Sequence, residues 1–595
     1  MAELVDAHDS KSCFARSESS ILSSPTNLME INKINNLLEL FYTQYQKQNK
    51  NDIFLESLKK PIKKYSWKDV YLNINKLSAE ILRYIDKGDR CLLISENRPE
   101  WMIADLSIML SNGVTVPAYT TYTERDYEYI IDDSEPSLVF VSDKTQYNKI
   151  KNIIPKKKFI KKVIIFEPIN DVNDSFKLNI NDIFKNPKCE LKNFFDLPIQ
   201  RKDMACLIYT SGTQGNPKGV MLSHGGILSN CEGSCELLKP IVSIHPKFLT
   251  WLPLSHSYEH TIQFVQIAVA AKVFYAESIE KLIKNISECR PEIMTAVPRF
   301  YQNLYQKINA TFIKATGLKK ILVNNTVHLG KKRLYKNKLT IIEKFINFLC
   351  EKLVRKKIKN QFGGNLRTFV SGGGALDKEV GSFLNSIGLP TLQGYGLTET
   401  SPVVSCNPIN DIRVETVGPP FKGNLVKIAP DGEILVKGEN VMMGYWKNEE
   451  ETNKVLKDGW MYTGDIGEFD NGFLKITDRK KDIIITPGGE NISPIKIEND
   501  LTKINFIEQA LVYGDNKPFL ISLIVLSLDK KDLTNQKIQE EIEKINKNFS
   551  KIEKIKKFIV IKDQFTIENG MMTPTLKLKR YKIIKKYRTE IEKLY

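Results

Sequence analysis

A cluster of hydroxyl, glycine and lysine residues follows a short apolar run in the segment LIYTSGTQGNPKG, residues 207–219. The apolar residues ACLIY predict a buried strand, because they are β-prone and end at a Gly-rich stretch. Glycines at 212, 215 and 219 would let backbone N–H groups approach a ligand closely. Hydroxyl donors and one positive charge complete the set: Thr210, Ser211, Thr213 and Lys218. Together these residue types suit a polyphosphate.

The nucleotide P-loop pattern G-x-x-x-x-G-K-[ST] is the main rival interpretation of this segment. Counting from Gly212 places Pro217 where the second glycine must stand, and Gly219 follows the lysine where Ser or Thr is required. The segment is therefore not that motif. A simple surface turn uses the same residues, so the loop alone leaves two interpretations open and the rest of the chain must decide between them.

Three later segments carry further residues suited to nucleotide chemistry. Glu399 lies in LQGYGLTET, and Mg²⁺ is commonly held by one or two carboxylates plus substrate phosphates. Asp465 and Arg479 lie on strand-like segments of WMYTGDIGEFDNGFLKITDRKKD, where a carboxylate suits a ribose diol. Lys577 lies in MMTPTLKLKR, before a basic tail. Taken singly, each has an ordinary structural explanation as a helix cap, a hairpin residue or a solvated charge.

Short apolar strands alternate with helical stretches from about residue 66 to residue 300. The pattern predicts an α/β domain with a largely parallel sheet, and its strand segments are RCLLISEN, SLVFVSD, KKVIIFEP, ACLIYTSG, FLTWLPLS and IMTAVPR. Ligands of such sheets collect at the carboxyl ends of strands, which is where the loop after Tyr209 lies. A β-rich, Gly-punctuated stretch follows at 418–480, and the pattern changes again beyond Asp482.

Length and composition indicate a globular protein of more than one domain. The chain has 595 residues, of which 42% are hydrophobic and 26% charged. Its net charge of +17 raises the question of a nucleic-acid or membrane partner. Lysines occur in nearly every segment, without a concentrated basic arm or zinc-finger spacing, so we expect no nucleic-acid partner. The nine cysteines lack the spacing of a disulfide scaffold, which favours a cytoplasmic location.

For several segments the sequence predicts a structural feature and no chemical role. Cys231 and Cys235 are expected on a buried helix face rather than at a metal site. Residues 1–28 lack the apolar region of a signal peptide, and we expect a disordered or spurious leader there, with the folded chain beginning at Met29. The most apolar candidate for a membrane span, FVQIAVAAKVFYA, is broken by Gln266 and Lys272.

The segment 301–363 is Lys-rich and helical in pattern. Its apolar residues recur at helical spacing with Lys and Arg between them: Leu339, Ile342, Phe345, Ile346, Leu349, Leu353 and Val354. We expect this helix to pack on its own domain. The alternative is a basic amphipathic face on an anionic membrane, which would make the protein peripheral to the inner face of the membrane.

From about residue 50 to the C-terminus the sequence resembles the adenylate-forming synthetase superfamily, and within it the long-chain acyl-CoA synthetases. The resemblance rests on seven blocks in family order: YTSGTQGNPKGVMLSHGG, LPLSHSYEHT, SGGGALD, QGYGLTETSPVV, VGPP, YTGDIGEFDNGFLKITDRKKDIIITPGGENISP and TPTLKLKR. It implies an α/β fold with a large N-terminal adenylate-forming domain, 29–480, built of parallel α/β sheets plus a β-rich subdomain. A small, mobile α+β lid domain, 481–595, would follow.

The resemblance also implies roles for individual residues. ATP phosphates would be bound by Thr210, Ser211, Gly212, Thr213 and Lys218, adenine by Gly373, Gly374, Gln393, Gly394 and Tyr395, the α-phosphate by Thr398, and the ribose by Asp465 and Arg479. Glu399 would hold Mg²⁺ and Lys577 would be the catalytic lysine. His256 would be a further catalytic candidate, near the acyl and pantetheine channels. Lys481 would be the hinge, and Gly488, Gly489 and Glu490 would line the coenzyme A channel.

The implied reaction is ATP-dependent activation of a long-chain fatty acid to an acyl-adenylate, followed by transfer to coenzyme A. One departure concerns the residue before the catalytic lysine, where many relatives have Gly and this chain has Leu576; long-chain members share it, so Lys577 is preferred over Lys579. Alternatives are a fatty acyl-AMP ligase serving a carrier protein, a luciferase-like oxygenase and a catalytically inactive membrane scaffold. The oligomeric state stays open, with a homodimer among the options.

Overall fold

The computed structural model of the protein describes residues 29–169, 176–185, 194–210, 217–488, 490–527, 533–573 and 577–595. The expected leader, residues 1–28, and the expected site residues Ser211, Gly212, Thr213 and Gly489 lie outside these ranges. The described part of the chain is a mixed α/β structure with a large N-terminal and a small C-terminal part. This confirms the fold class predicted from the sequence.

The strands of the described residues come first, because they position the site. In chain order they are β1 (Ile53–Ser57), β2 (Lys64–Ser66), β3 (Arg90–Ile94), β4 (Val114–Ala118), β5 (Leu138–Val141), β6 (Lys162–Ile165), β7 (Lys177–Asn179), β8 (Met204–Thr210), β9 (Lys218–Ser223), β10 (Lys247–Thr250), β11 (Lys272–Tyr275), β12 (Ile293–Ala296), β13 (Thr368–Ser371), β14 (Thr391–Gly396), β15 (Val403–Cys406), β16 (Leu425–Ile428), β17 (Glu433–Lys437), β18 (Gly444–Tyr445), β19 (Leu456–Lys457), β20 (Trp460–Asp470), β21 (Phe473–Arg479), β22 (Ile484–Ile485), β23 (Asn491–Ile492), β24 (Ile507–Tyr513), β25 (Leu520–Leu526) and β26 (Ile555–Ile561).

The helices of the described residues connect these strands. They are α1 (Leu37–Lys47), α2 (Trp67–Ile81), α3 (Pro99–Leu110), α4 (Glu124–Ser134), α5 (Lys144–Asn148), α6 (Ile180–Lys185), α7 (His224–Leu238), α8 (Ser257–Ala268), α9 (Leu282–Cys289), α10 (Pro298–Ile313), α11 (Gly317–Leu334), α12 (Ile341–Cys350), α13 (Lys356–Gln361), α14 (Lys378–Ser386), α15 (Glu449–Val455), α16 (Pro494–Leu501), α17 (Asn535–Asn546), α18 (Arg580–Lys586) and α19 (Arg588–Glu592). Short 3₁₀ turns occur at Ile31–Lys33, Ile154–Lys156 and Thr398–Thr400, and a π turn at Glu351–Arg355.

Two largely parallel sheets form the N-terminal part of the described chain. One has the order β18-β9-β8-β4-β3-β5-β6-β7, and the other has the order β15-β14-β13-β12-β10-β11-β1-β2. The six strand segments predicted from the sequence are all strands, but they are divided between two sheets instead of sharing one. Local apolar patterns identify a strand, whereas its sheet is decided by the helical crossover that follows it.

Helices α3 and α8 are buried along their whole length. The core around them contains side chains from strands of both sheets, such as Leu93, Ile208, Phe248 and Val273. A helix covered on all sides must have apolar or hydrogen-bonded side chains around its whole circumference. The apolar residues FVQIA, which end α8 at Ala268, are therefore part of the core rather than of a membrane span. None of the helices in the described ranges combines the length and apolarity needed to cross a bilayer.

The stretch 418–480 forms the β-rich subdomain expected from the sequence. In the described chain its sheet has the order β16-β17-β20-β19, with β21 paired to β20. The β20–β21 hairpin is antiparallel and sets Asp465 opposite Arg479. The hairpin therefore holds a carboxylate and a guanidinium as direct cross-strand neighbours.

The C-terminal part has apolar cores of its own. Two clusters draw all their buried members from residues 484–595, around a sheet in which β24 and β25 are antiparallel and β25 and β26 are parallel. The main N-terminal core ends at Leu474. An independent core is the physical basis of a separate domain, and the boundary near residue 480 stays a prediction supported by this division.

The Lys-rich segment folds as helices α10 to α13, and α12 only partly matches its prediction. Ile346, Leu349, Cys350 and Val354 turn toward the protein, whereas Ile342, Phe345 and Leu353 are exposed. The expectation that the helix packs on its own domain therefore holds for one face only. Cys231 and Cys235, by contrast, are both buried on α7 as predicted.

Candidate active site

The glycine-rich ends of β13 and β14 form one wall of a cleft. The two strands are parallel, with Ser371 opposite Gln393, so the residues that follow both meet at the same sheet edge. Gly373 has a φ of +80°, a conformation that favours glycine. Gln393 Oε1 is buried and has no hydrogen-bond partner among the described residues. An unpaired buried acceptor at this edge is suited to a donor on a ligand.

Asp465 is the centre of a hydrogen-bonded group beside this wall. Its side chain accepts a 2.8 Å hydrogen bond from the Tyr395 hydroxyl and a 2.9 Å bond from Arg479 Nε. Asp465 is only 3% exposed. Burial and the neighbouring carboxylate hold the pKa of Tyr395 well above its ordinary value, so its hydroxyl stays a donor. The carboxylate is thus oriented from two sides, as a ligand-binding acceptor must be.

The short turn after β14 carries a hydroxyl and a carboxylate. Thr398 Oγ1 lies 3.1 Å from Ser257 Oγ at the start of α8. Glu399 Oε1 accepts a 3.0 Å hydrogen bond from the Tyr445 hydroxyl on β18. Burial and the charge of Glu399 raise the pKa of Tyr445, so the phenol remains a donor. Tyr445 therefore fixes the rotamer of Glu399.

Lys218 begins β9, immediately after the Gly-rich loop. Its ammonium forms an ion pair with Glu451 on α15 and lies 5.0 Å from the centre of the Tyr445 ring. Hydrogen bonds from Lys218 and from Lys454 lower the pKa of Glu451 to about 2. Thr210 Oγ1 reaches the Lys218 carbonyl oxygen at 3.5 Å. The ends of the loop are thus held close to Glu399.

The role expected for Gly219 was wrong. A close approach of its backbone to a ligand was expected, but the structure places it within β9. An added Cβ would lie 2.9 Å from Leu207 Cδ1 and 3.2 Å from Trp446 Cβ. Packing against these two side chains, rather than ligand contact, is what restricts this position to glycine.

Lys577 extends from the C-terminal part into the same cleft. Burial, followed by the positive charge of Arg479, lowers its pKa to about 8, while Asp465 and Glu399 act in the opposite direction. The Lys577 residue as a whole is exposed, while protein surrounds its ammonium closely enough for desolvation to dominate the shift of its pKa. Lys579 has other neighbours: burial and then the charge of Lys582 lower its pKa, while Asp126 acts in the opposite direction.

His256 caps the N-terminus of α8. Its Nδ1 accepts a 3.1 Å hydrogen bond from the Tyr258 backbone N–H. Burial, together with the charge of Lys577, lowers the pKa of His256 to about 3. The imidazole is therefore neutral near pH 7 and a weak proton acceptor, which argues against its use as a general base.

The predicted hinge and coenzyme A residues that the structure describes lie in exposed segments after β21. Lys481 is an exposed turn residue just after β21. Gly488 and Glu490 lie between β22 and β23, where the Glu490 N–H donates a 3.1 Å hydrogen bond to Thr486 Oγ1. Exposure leaves the described part of this turn available to a partner surface.

Ion pairs join the two parts of the chain near the cleft. Arg299 donates from Nη1 to the Glu508 carbonyl oxygen at 2.8 Å and from Nη2 to Glu508 Oε1 at 3.2 Å. Lys503 Nζ lies 3.2 Å from Asp377 Oδ2. These polar contacts connect the C-terminal part, which carries Lys577, to the N-terminal part.

Sequence reasoning missed three residues of this arrangement: Ser257, Tyr445 and Glu451. Tyr445 and Glu451 occur in GYWKNEEET, which carries no recognisable chemical signal by itself. Their position depends on the pairing of β18 with β9, which sets Tyr445 opposite Val220. A contact between residues so far apart in sequence has no local pattern that would reveal it.

Comparison with known protein families identifies the class of protein. A profile described as AMP-binding enzyme matches residues 41–446, and a profile described as AMP-binding enzyme C-terminal domain matches residues 481–595. Among solved structures, the adenylation domain of a carboxylate reductase from Mycobacterium chelonae has a TM-score of 0.76 at 19% identity, covering 100% of this chain and 98% of that one. ATP-bound MatB from Rhodopseudomonas palustris has a TM-score of 0.71 at 21% identity, covering 93% and 99%. The chain belongs to the AMP-binding enzyme family.

Curated relatives narrow this assignment. A long-chain-fatty-acid–CoA ligase of Mycobacterium bovis is 31% identical over 537 residues, covering 86% of this chain and 88% of the relative. Long-chain-fatty-acid–CoA ligase 5 of Rattus norvegicus is 32% identical over 597 residues, covering 90% and 85%. Within the AMP-binding family, this chain belongs with the long-chain fatty acid–CoA ligases.

Proposed function

We propose that the protein is a long-chain fatty acid–CoA ligase that forms an acyl-adenylate from ATP and then transfers the acyl group to coenzyme A. One observation carries the proposal: Lys577 of the C-terminal part lies close enough to Asp465, Arg479 and Glu399 for their charges to act on its pKa beside the effect of burial. A cation brought by one domain to the carboxylates of another suits a reaction in which negative charge develops between them.

ATP binds with its adenine against the glycine-rich wall and its ribose at Asp465. The unpaired Gln393 Oε1 accepts from the exocyclic amine of adenine. Asp465, oriented by Tyr395 and Arg479, accepts the ribose hydroxyls. The phosphates extend toward Thr398 and Lys218, where Lys218 exchanges Glu451 for the more highly charged phosphates.

The donors around Glu399 fit Mg²⁺. They are a carboxylate and the neighbouring Thr398 hydroxyl, both oxygen ligands, and Mg²⁺ takes its remaining ligands from phosphates and water. Among the described residues there is no group of three or more His, Cys, Asp or Glu side chains that could hold a metal ion, so Glu399 with the substrate phosphates is the proposed site. When bound, the ion neutralises charge on the phosphates.

Adenylation follows from positioning and charge stabilisation. A carboxylate oxygen of the fatty acid attacks the α-phosphorus of ATP in line, and the bond to pyrophosphate breaks. Lys577 donates to the attacking carboxylate and the α-phosphate as charge builds, and Thr398 contacts the α-phosphate. Lys218 holds the departing pyrophosphate.

Thioester formation uses the same cleft after a domain rotation. Turning about Lys481 breaks the Arg299–Glu508 and Lys503–Asp377 contacts and withdraws Lys577. The turn containing Gly488, Gly489 and Glu490 then lines the pantetheine channel. The thiolate of coenzyme A attacks the acyl carbonyl, and AMP leaves. Domain alternation of this kind lets one small domain serve two half-reactions.

The substrates of the enzyme and its free cysteines support a proposal for its cellular location. We place it in the cytoplasm, with peripheral contact to the inner face of the membrane, because long-chain acids partition into lipid. The seven cysteines of the described residues are free and buried, as expected in a reducing compartment.

A chain-length panel tests the function. The purified protein is given ATP, Mg²⁺ and fatty acids from short to long, with and without coenzyme A, and acyl-CoA, AMP and pyrophosphate are measured. Steady turnover that requires coenzyme A and is greatest with long chains is expected. A burst of pyrophosphate indifferent to coenzyme A would favour the carrier-protein alternative, which the curated relatives do not favour. Absence of turnover with every acid would contradict the proposal.

Because the pKa of Lys577 is lowered, we expect adenylation to decline at a lower alkaline pH than it would with an ordinary lysine. Only the cation stabilises adenylation, so kcat/KM for ATP in ATP–pyrophosphate exchange should fall as pH rises through about 8. Bound ATP and carboxylate favour the cation, so the alkaline limb of kcat should lie at higher pH. Lys577→Arg, which stays charged, should remove the limb. A native limb only near about 10, the value of an ordinary lysine, would contradict this assignment.

A further inference from the structure

Helix α12 carries apolar side chains that nothing in the described chain covers. Ile341 is 86% exposed, Phe345 64% and Phe348 57%. Their spacing of four and then three residues places them on one face of the helix, with Ile342 (73% exposed) beside them. We call these four residues the α12 stripe. Exposed apolar side chains that are contiguous rather than scattered mark an interaction surface.

Positive charge is concentrated around the α12 stripe. Residues 313–360 contain fourteen Lys and Arg side chains against two Glu, which is a formal charge of +12 out of the +17 of the whole chain. Both Glu residues are already paired, Glu343 with Lys332 and Glu351 with Arg355. Although lysines occur in nearly every segment of the chain, they are therefore concentrated in this one.

The cations lie next to the apolar residues rather than on a separate face. Lys344 and Lys352 are exposed on and just after α12, and Lys352 Nζ lies 5.6 Å from the centre of the Phe348 ring. Exposed Lys356 and Lys357 follow at the start of α13. Long lysine side chains can keep their charge at an interface while their methylene groups lie along apolar material.

We propose that the α12 stripe and its surrounding lysines dock on the surface of an anionic lipid bilayer. Apolar side chains flanked by lysines are the pattern of a helix lying in the headgroup region, where burial and attraction to anionic lipids add. A second copy of the chain fits less well, because it would bring another strongly basic surface against the first. This proposal deepens the peripheral membrane contact that rests on the proposed function.

Docking holds the enzyme where its substrate is concentrated. A long-chain acid resides in lipid, so a protein seated on the bilayer takes it up without the acid crossing bulk water. An ion pair between Lys332 and Glu343 joins α11 to α12. Arg355 in the π turn donates a 2.9 Å hydrogen bond to Asn347 Oδ1 on α12. These contacts keep the stripe in place on the N-terminal part.

Vesicle sedimentation of the full chain tests the proposal. The probes are vesicles of phosphatidylcholine alone and of phosphatidylcholine mixed with phosphatidylglycerol, without ATP or fatty acid, so the result is independent of catalysis. The native protein should bind the mixed vesicles, less so at high salt. Phe345→Ser combined with Phe348→Ser should lower the partition coefficient about tenfold or more, and Lys356→Gln with Lys357→Gln should do the same.

A matched control replaces exposed apolar residues elsewhere. Ile244→Ser with Ile279→Ser changes side chains that are 69% and 67% exposed and should leave binding unchanged. Equal binding by the Phe variant and the native protein would overturn the proposal, as would absence of native binding at low salt. A dimer that the Phe variant abolishes, without any change in vesicle binding, would assign the stripe to a second copy. Retained acyl-CoA formation in detergent solution would show that the variants are folded.

Discussion

Lys577→Ala should lower the rate of adenylation about a hundredfold to a thousandfold while leaving thioester formation from supplied acyl-adenylate near its native rate. The physical reason is that the Lys577 ammonium is the cation that the C-terminal part brings to the Asp465 and Glu399 carboxylates. A preorganised donor at developing charge contributes an effect of about this size. ATP–pyrophosphate exchange measures the first half-reaction, and acyl-CoA formation from synthetic acyl-adenylate measures the second.

Two controls separate chemistry from folding. Lys579→Ala removes a nearby lysine whose neighbours are Lys582 and Asp126 rather than the cleft carboxylates, and it should keep most of both activities. Lys577→Arg restores the charge and should recover part of the adenylation rate. Equal loss of both half-reactions in Lys577→Ala, with unchanged thermal unfolding, would contradict domain alternation.

Glu399→Gln should lower adenylation about a hundredfold and weaken the Mg²⁺ dependence of ATP binding. Glutamine keeps an oxygen that can accept from Tyr445, so geometry is retained while the negative charge is lost. A metal ion held at the phosphates supplies several kcal/mol of charge stabilisation. Titration of ATP affinity against Mg²⁺ by calorimetry gives a readout that does not depend on turnover.

Glu399→Gln should also change the pH dependence of adenylation. The charge of Glu399 opposes the fall in the Lys577 pKa, so its removal should move the alkaline limb of kcat/KM to lower pH. Glu468→Gln, an exposed glutamate on β20, serves as the control and should change neither property. A reduced rate with unaltered Mg²⁺ dependence of ATP binding would assign Glu399 a role other than metal binding.

Local sequence patterns predict the strands and the loops between them well. The segment ACLIY is a buried strand, and Asp465 and Arg479 face each other because a hairpin connects two alternating strands. Both depend on neighbours within a few residues. The apolar patterns alone did not predict how the strands divide between two sheets, because that division depends on crossovers whose direction no local pattern encodes.

Long-range packing explains what the sequence could not reveal at the site. Lys218 meets Glu451, and Glu399 meets Tyr445, because the two-residue strand β18 pairs with β9. Lys577 acts on the same group of charges only because the two parts of the chain are in contact, as the Arg299–Glu508 pair shows. The exposure of Phe345 has the same origin, since helical spacing defines a face but not whether a neighbour covers it.

The most direct test of the account is a single-turnover experiment without coenzyme A. The native enzyme is mixed with ATP, Mg²⁺ and a long-chain fatty acid, freed of unbound ATP, and then given coenzyme A while acyl-adenylate and acyl-CoA are measured. The account predicts enzyme-bound acyl-adenylate in an amount close to that of the enzyme, converted to acyl-CoA with release of AMP. Acyl-adenylate that coenzyme A does not convert, or acyl-CoA formed only while ATP remains, would contradict it.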